Sequence, residues 1–414
     1  MENTVKISNK KDFWGFPVTH FSYFFTWAIV FGYLTLWLEQ EAGFNGVEAG
    51  FVFSMMAGVS LLFQPVFGII SDKLLMKKTL ILVIAIGMIF VGPYFQWIFH
   101  PLLNIGHTAA ALATGVYLSF ILNGGVSVIE QYVQRASLTN KFEYGHSRIG
   151  GSLAGAAASL AGGQLFLWNP NAIFWACSVA ATLLTCCLLF STKINMENIS
   201  AVSGQDTSTQ FDWKMISSIF RMKNFWILSL FYIGTSAIYD VFDQQFIIFF
   251  KSFFEVADEG TLAYSYMTSS QVALEFLLML PMPWVINKIG ARNGLIAYGV
   301  ILALRILGSA LVPNLTLIIV LRLLAGLEMP LLLISIMKYI AGAFDLRLYA
   351  TVYAFSSNFA KQISVFFIFS IAGTMYDQIG FQQTYLIMGI IVAIVTIFCA
   401  FTLKKEDPAQ AGEI

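Results

Sequence analysis

The sequence predicts an all-α integral membrane protein with twelve transmembrane helices in two six-helix bundles. Three observations carry this. Of 414 residues 58% are hydrophobic, about 240 side chains, and a bilayer-spanning helix uses about 20. Only 11% are charged, under half the quarter usual for soluble domains. The few bases fall almost entirely on alternate loops. This profile excludes a soluble enzyme, a disordered chain and a nucleic-acid binder. Lys+Arg and Asp+Glu each number 23, so net charge points to no partner.

The first apolar segment, 13–37, follows a polar start that ends at Asp12. No small-residue cleavage site follows it, so it reads as a retained first helix and not a signal peptide. Further apolar segments run over 47–70, 79–99, 108–133, 147–168 and 171–191. Residues 192–223 are polar and contain INMENISAVSGQDTSTQ, the composition of a linker. Apolar segments resume at 224–250, 262–286, 293–312, 315–338, 348–374 and 381–403. The expected organisation is therefore an N-terminal bundle over 1–191, a cytoplasmic linker over 192–223 and a C-terminal bundle over 224–414.

Orientation follows from the Lys/Arg bias of the loops. One side carries 18 of the 23 bases, among them Lys6, Lys10, Lys11, Lys73, Lys77, Lys78, Lys404 and Lys405, and the other only Lys251. Both termini and the linker are expected to be cytoplasmic, in a bacterial-type inner membrane. Trp14, Trp37, Trp97, Trp168, Trp226 and Trp284 fall near span ends, as an interfacial aromatic belt should. The loops after spans 2 and 8 also repeat. Asp72/Asn287, Lys73/Lys288 and Lys77/Arg292 align at one offset, which suggests a duplicated, parallel-repeat transporter.

Cys177, Cys186, Cys187 and Cys399 all lie in apolar runs. They read as small buried hydrophobes, without metal-ligand spacing or a disulfide framework. His20, His100, His107 and His146 are scattered and form no metal set.

Nine charges fall inside the spans: Arg148, Arg305, Arg322, Lys361, Glu130, Asp240, Asp243, Glu275 and Glu328. Left unpaired in lipid they would cost on the order of 25 kcal/mol, more than a protein's usual net stability. They must face a bundle interior or aqueous cavity and largely pair with one another. Asp240 and Asp243 lie three apart on one helix face, where Arg322 and Lys361 could meet them. Five acids against four bases leave one carboxylate in excess. A carboxyl without a dedicated partner in a low-dielectric cavity holds its proton more tightly and can load and release one near neutral pH. No nucleophile–base pair, metal set or phosphate loop points to an enzyme.

At these residues the chain resembles the lactose permease branch of the major facilitator superfamily, the oligosaccharide:proton symporters. Tyr239-Asp-Val-Phe-Asp-Gln-Gln245 is the strongest match. Phe142-Glu-Tyr-Gly145 leading to Arg148, Gln64-Pro-Val-Phe-Gly-Ile-Ile-Ser-Asp-Lys73, and Glu328-Met-Pro330 followed by Lys338-Tyr-Ile340 join it. The resemblance implies alternating access around a central sugar site. It implies sugar contacts at Glu130, Arg148 and Asn123. Asp240–Lys361 and Asp243–Arg322 would be interhelical ion pairs. Glu328 would carry the proton, with Arg305 helping to release it, and Asp72 would belong to a gating loop. The proton is then the coupling ion and no cofactor is implied. The partners are a small-molecule sugar and the lipid bilayer, with no nucleic acid, and the expected state is a monomer.

The chain also departs from that family. Gly155 stands where lactose permease has a tryptophan that stacks on galactose. Ala325 stands where a histidine usually neighbours the protonated acid. Val272 replaces the acid of span 8, and Glu275, one turn on as in sucrose permease, could substitute for it. Leu75 stands where the gating loop usually has glycine. Trp27 could offer another stacking face, or pack against a neighbouring helix. An uncoupled sugar or polyol facilitator, permitted by Ala325, and a proton symporter for a non-sugar solute such as a nucleoside are the alternatives.

Overall fold

The computed structural model describes residues 13–74, 77–140, 142, 144–192, 213–312, 314–345 and 348–405. Among them no strand occurs. Most of the expected linker lies outside the described residues, and a short helix, Trp213–Phe220, leads into the second half.

The first half contains α1 (Gly15–Gln40) and α2 (Gly46–Leu74). α3 is a bent pair, Thr79–Ile89 and Val91–Ile105. α4 comprises His107–Leu118 and Gly124–Asn140 with a wider π turn, Ser119–Asn123, between them. α5 (Tyr144–Trp168) and α6 (Ala172–Cys186) follow. In the second half α7 runs over Lys223–Gln244 and continues as Phe246–Lys251. α8 is bent between Ala257–Met279 and Met282–Ile289. α9 (Ala291–Leu311) and α10 (Leu315–Ala343) precede α11 (349–379) and α12 (381–402).

Eight described helices are long and apolar enough to cross a bilayer, and the two bent pairs make ten. Two sequence features conceal the other two spans. α5 is the right length, but Gly150, Gly151, Ala154, Gly155, Ala156, Ala157 and Ala158 dilute its hydropathy. α11 and α12 run together as one helical stretch that breaks at Gly380, with φ 79° and ψ 171°. That conformation is one that only glycine adopts without strain, so Gly380 makes the turn between the last two spans. Twelve membrane helices result.

Contacts divide the chain into two compact units. One comprises Met1–Phe44 and Met55–Thr209, the other Asn45–Ser54 and Gln210–Ile414. In the first, α1 packs on α5 and α6, and α3 on α6. In the second, α9 packs on α10 and α12, and α8 on α10. The first turns of α2 cluster with the second unit, where Asp377 accepts the Gly46 and Val47 N–H groups at 2.9 and 3.0 Å. A carboxylate there supplies the cap that an α-helix N-terminus lacks within itself.

Small residues bring α1 and α5 together. A Cβ at Gly150 would stand 2.2 Å from the Pro17 carbonyl oxygen, and one at Gly162 would stand 2.2 Å from the Tyr33 ring. Close backbone approach of this kind is how helices gain dispersion contacts in lipid, where hydrophobicity does not drive them together. Gly150→Val is expected to lower stability by roughly 1–3 kcal/mol, read as a lower thermal midpoint of the purified protein. An unchanged midpoint would show that the α1–α5 contact is looser than its geometry implies.

The repeat extends to the loops. Lys78 Nζ donates to the Leu188 and Thr192 carbonyls at the end of α6. Arg292 donates to the Leu403 and Ala400 carbonyls at the end of α12. In each half a base thus satisfies the orphan carbonyls of a helix C-terminus; the base in the first half is Lys78, one residue beyond the expected Lys77. A base late in the fourth helix of each half also reaches the end of the second: Arg135 to the Ser71 carbonyl, Lys338 to Asn287. Five of the six belt tryptophans are exposed. Trp37 is instead fully buried amid Phe95, Phe99 and Phe174, with its N–H on Asn171. Of the cysteines, Cys186 departs from expectation by being exposed, and all four are free.

Candidate functional site

The first unit holds a carboxylate–guanidinium pair on neighbouring helices. Arg148, in the first turns of α5, places Nε 2.9 Å from Glu130 Oε1 on α4. The pair is open: Glu130 is 24% and Arg148 40% exposed. It therefore keeps donors and acceptors for a solute that arrives from water. The other carboxylate oxygen, Oε2, stands 3.4 Å from His20 Nε2 on α1. The Arg148 guanidinium lies 4.4 Å from the centre of the Phe24 ring. Trp27, three residues further along α1, lies tilted against Phe31 with ring centres 4.4 Å apart. Phe24 is thus the aromatic face beside the charged pair.

Asn123 closes the π turn of α4, a distortion common at functional positions. Its side chain donates to the Met56 carbonyl at 3.1 Å. Tyr23 donates to the Leu122 and Ile121 carbonyls of that turn at 2.6 and 3.1 Å, which satisfies backbone groups that the wider turn frees. Asp72 lies in the last turn of α2, but its side chain is outside the described residues, as is Leu75.

The second unit holds a larger network, built on the α7 motif. Tyr239, Phe242, Asp243 and Phe246 recur at spacings of three and four, so they share one helical face. Asp243 accepts from Arg322 of α10 through both oxygens, with Nη2–Oδ2 at 3.0 Å. It also meets Arg305 Nη1 of α9 at 3.3 Å. Arg305 in turn forks onto Glu328 of α10, with both bonds at 2.8 Å. The α7 aromatic rings cup these cations. Phe242 and Tyr239 lie 4.8 and 5.2 Å from the Arg305 guanidinium, and Phe246 lies 5.1 Å from that of Arg322. Such cation–π contacts favour a buried guanidinium. Lys361 of α11 takes Asp240 at 2.8 Å, apart from this network. Ala325, one turn before Glu328, is fully buried and adds no polar atom. Glu275 is half-buried on α8, where its backbone runs beside Gly326.

The excess acid inferred by counting charges is not Glu328 in this structure, since Glu328 has a bidentate partner. Bidentate pairing is the strongest hold a guanidinium exerts on a carboxylate. A proton that binds Glu328 must displace Arg305.

Twelve spans, two compact units and ionised side chains clustered inside the helices define a polytopic membrane transporter. Comparison with known proteins specifies which kind: residues 5–412 match the LacY proton/sugar symporter family, and the chain belongs to it. It is similar to the raffinose permease of Escherichia coli, 39% identical over 98% of this chain and 95% of that protein. The melibiose permease of Enterobacter cloacae subsp. cloacae is 39% identical over 99% and 98%. Among solved structures the nucleoside transporter NupG shares the fold, with a TM-score of 0.79 and 17% identity over 96% of this chain and all of that one.

Proposed function

We propose that this chain is a proton-coupled oligosaccharide symporter of the inner membrane, with both termini cytoplasmic, working by alternating access. Glu130 and Arg148, with Asn123 and the Phe24 face, bind the sugar. Glu328 carries the proton and Arg305 helps it leave. Asp240–Lys361 and Asp243–Arg322 hold the helices around that site.

One observation carries the reading: the two Glu–Arg pairs differ in exposure. Glu130 and Arg148 are partly open, whereas Arg305 and Glu328 are 1% and 0% exposed. A sugar needs an accessible polar surface that offers several directed hydrogen bonds, which a carboxylate beside a guanidinium supplies. A proton needs no such access. A fully enclosed carboxylate with one competing cation suits an ion that must not leak.

Added melibiose or raffinose should make a weakly buffered medium around cells turn alkaline, as the proton follows the sugar inward. Arg148→Ala should weaken sugar binding by about a hundredfold or more, since two charge-assisted hydrogen bonds are lost. Binding that ignores Arg148→Ala would overturn the assigned sugar site. Sugar uptake that continues unchanged when the proton gradient is collapsed would instead favour an uncoupled facilitator.

A further inference from the structure

Two hydroxyls of the second unit are enclosed and have no hydrogen-bond partner among the described residues: Tyr298 OH on α9 and Ser335 Oγ on α10. Both residues are 0% exposed. An enclosed hydroxyl costs free energy unless an internal water satisfies it, so each marks a place for bound water. Their positions are related. Tyr298 stands seven residues before Arg305, and Ser335 seven residues after Glu328. Seven residues are two turns, so each hydroxyl shares a helix face with one member of the Arg305–Glu328 fork. Gly308 meets Leu321 and Gly294 meets Ser335, so α9 and α10 run antiparallel. Both displacements therefore lead the same way, about 10 Å from the fork, toward the end that carries Lys288, Arg292 and Lys338.

The row continues beyond them. Tyr339, one turn past Ser335, donates to Asn224 Oδ1 at 2.9 Å in the first turn of α7. Asn224 is half-buried, and its Nδ2 again has no partner. The seam between α9 and α10 is shaped for the row. A Cβ at Gly294 would stand 2.1 Å from Ser335 Oγ, so even alanine there would displace the hydroxyl. The Tyr298 ring stands edge-on to Phe231 of α7 at 6.2 Å. The ionisable groups that face its hydroxyl include Glu328, Tyr239 and Asp240.

We propose that this row is a proton path from Glu328 to the cytoplasmic face, lying within the second unit and separate from the Glu130–Arg148 pair. The inference rests on Glu328 as the proton carrier. Glu328 and Arg305 are 0% and 1% exposed, so the carrier has no open surface of its own through which to release a proton. A hydroxyl and a water each donate and accept at once, so each takes a proton on one side as it gives one up on the other. Protonated Glu328 passes its proton to water held at Tyr298. One proton then moves along each link past Ser335, and one leaves beside Tyr339 and Asn224. Every hydroxyl ends with the hydrogen it began with. Glu328 is left ionised, and Arg305 holds both its oxygens, as in this structure.

The test uses the purified full-length protein in vesicles, with labelled melibiose and an inward proton gradient. Tyr298→Phe and Ser335→Ala each remove a single hydroxyl oxygen. Each is expected to slow gradient-driven uptake about tenfold or more, because Glu328 must release its proton in every cycle. Counterflow, in which Glu328 stays protonated, and melibiose affinity should stay at wild-type levels. The residual uptake should slow further in D2O, whereas counterflow should not; a purely structural role would move both alike. Wild-type uptake in both variants overturns the path, and so does a parallel loss of uptake and counterflow. Glu328→Gln separates the layers. If it abolishes accumulation while the two hydroxyl variants accumulate sugar normally, only the path falls. If Glu328→Gln itself accumulates sugar, the proton carrier is misassigned and the path falls with it.

Discussion

Glu328→Gln is expected to abolish uphill sugar accumulation while equilibrium exchange of sugar across the membrane continues. Glutamine keeps the shape of a protonated glutamate but never ionises. The wild-type carboxyl has two states. Ionised, it is held by both forks of Arg305, as in this structure. Protonated, it gives up that hold. Coupling needs the chain to pass through both states in each cycle, so that sugar moves only with a proton. The variant is fixed in the second state and retains only movements that need no change of protonation. Arg305 is left with Asp243, which it already approaches at 3.3 Å. Asp243 then faces two guanidiniums, so a stability loss of about 1–3 kcal/mol should accompany the transport defect. Labelled melibiose in energised vesicles measures accumulation, and counterflow measures exchange. Continued accumulation above the external concentration would remove Glu328 from the proton path.

Much of this architecture is legible in the sequence because lipid leaves few choices. A spanning backbone must satisfy its own hydrogen bonds, so an apolar run of the right length is a helix. The runs at 13–37 and 315–338 correspond to Gly15–Gln40 and Leu315–Ala343. Helix ends are less legible. α4 continues to Asn140, seven residues beyond the apolar segment, because Gln134 and Arg135 continue the helix although they are polar. Nor does hydropathy reveal the π turn at Ser119–Asn123, since its residues are as apolar as their neighbours.

The charges show the same division. Asp240 and Asp243 share a helix face by spacing, yet the offset of about 60° between them sends one to Lys361 of α11 and the other to Arg322 and Arg305. Spacing alone does not reveal that difference. Metal-ligand spacing does not single out His20, whose partners Glu130 and Ser147 lie 110 and 127 residues away in the chain. A signal was present nonetheless. A histidine in mid-span is rare and, like the nine charges, faces the bundle interior and takes partners there.

The two ion pairs of α7 should respond very differently to loss of one member. Arg322 is 3% exposed and Asp243 25%, so Asp243→Asn strands the Arg322 guanidinium in the helix interior, whereas Arg322→Met leaves Asp243 held by Arg305 alone at 3.3 Å. Breaking a buried pair in this way costs about 3–5 kcal/mol, a large part of typical stability. Poor yield and a clearly lower thermal midpoint should follow. Asp240 and Lys361 are 32% and 20% exposed, so water can solvate whichever member is left. Asp240→Asn or Lys361→Met should therefore cost only about 1 kcal/mol, near the upper end for exposed pairs. The double variant Asp243→Asn/Arg322→Met restores neutrality and leaves the Arg305–Glu328 fork untouched. It should recover most of the midpoint and, with the proposed proton site intact, sugar-dependent proton uptake. The double-mutant cycle isolates the pair's coupling from the cost of orphaning each charge. If the double variant is as unstable as the singles, Asp243 holds the fold through Arg305 and not Arg322. If it is stable but moves sugar without protons, the Asp243–Arg322 pair belongs to the proton path itself.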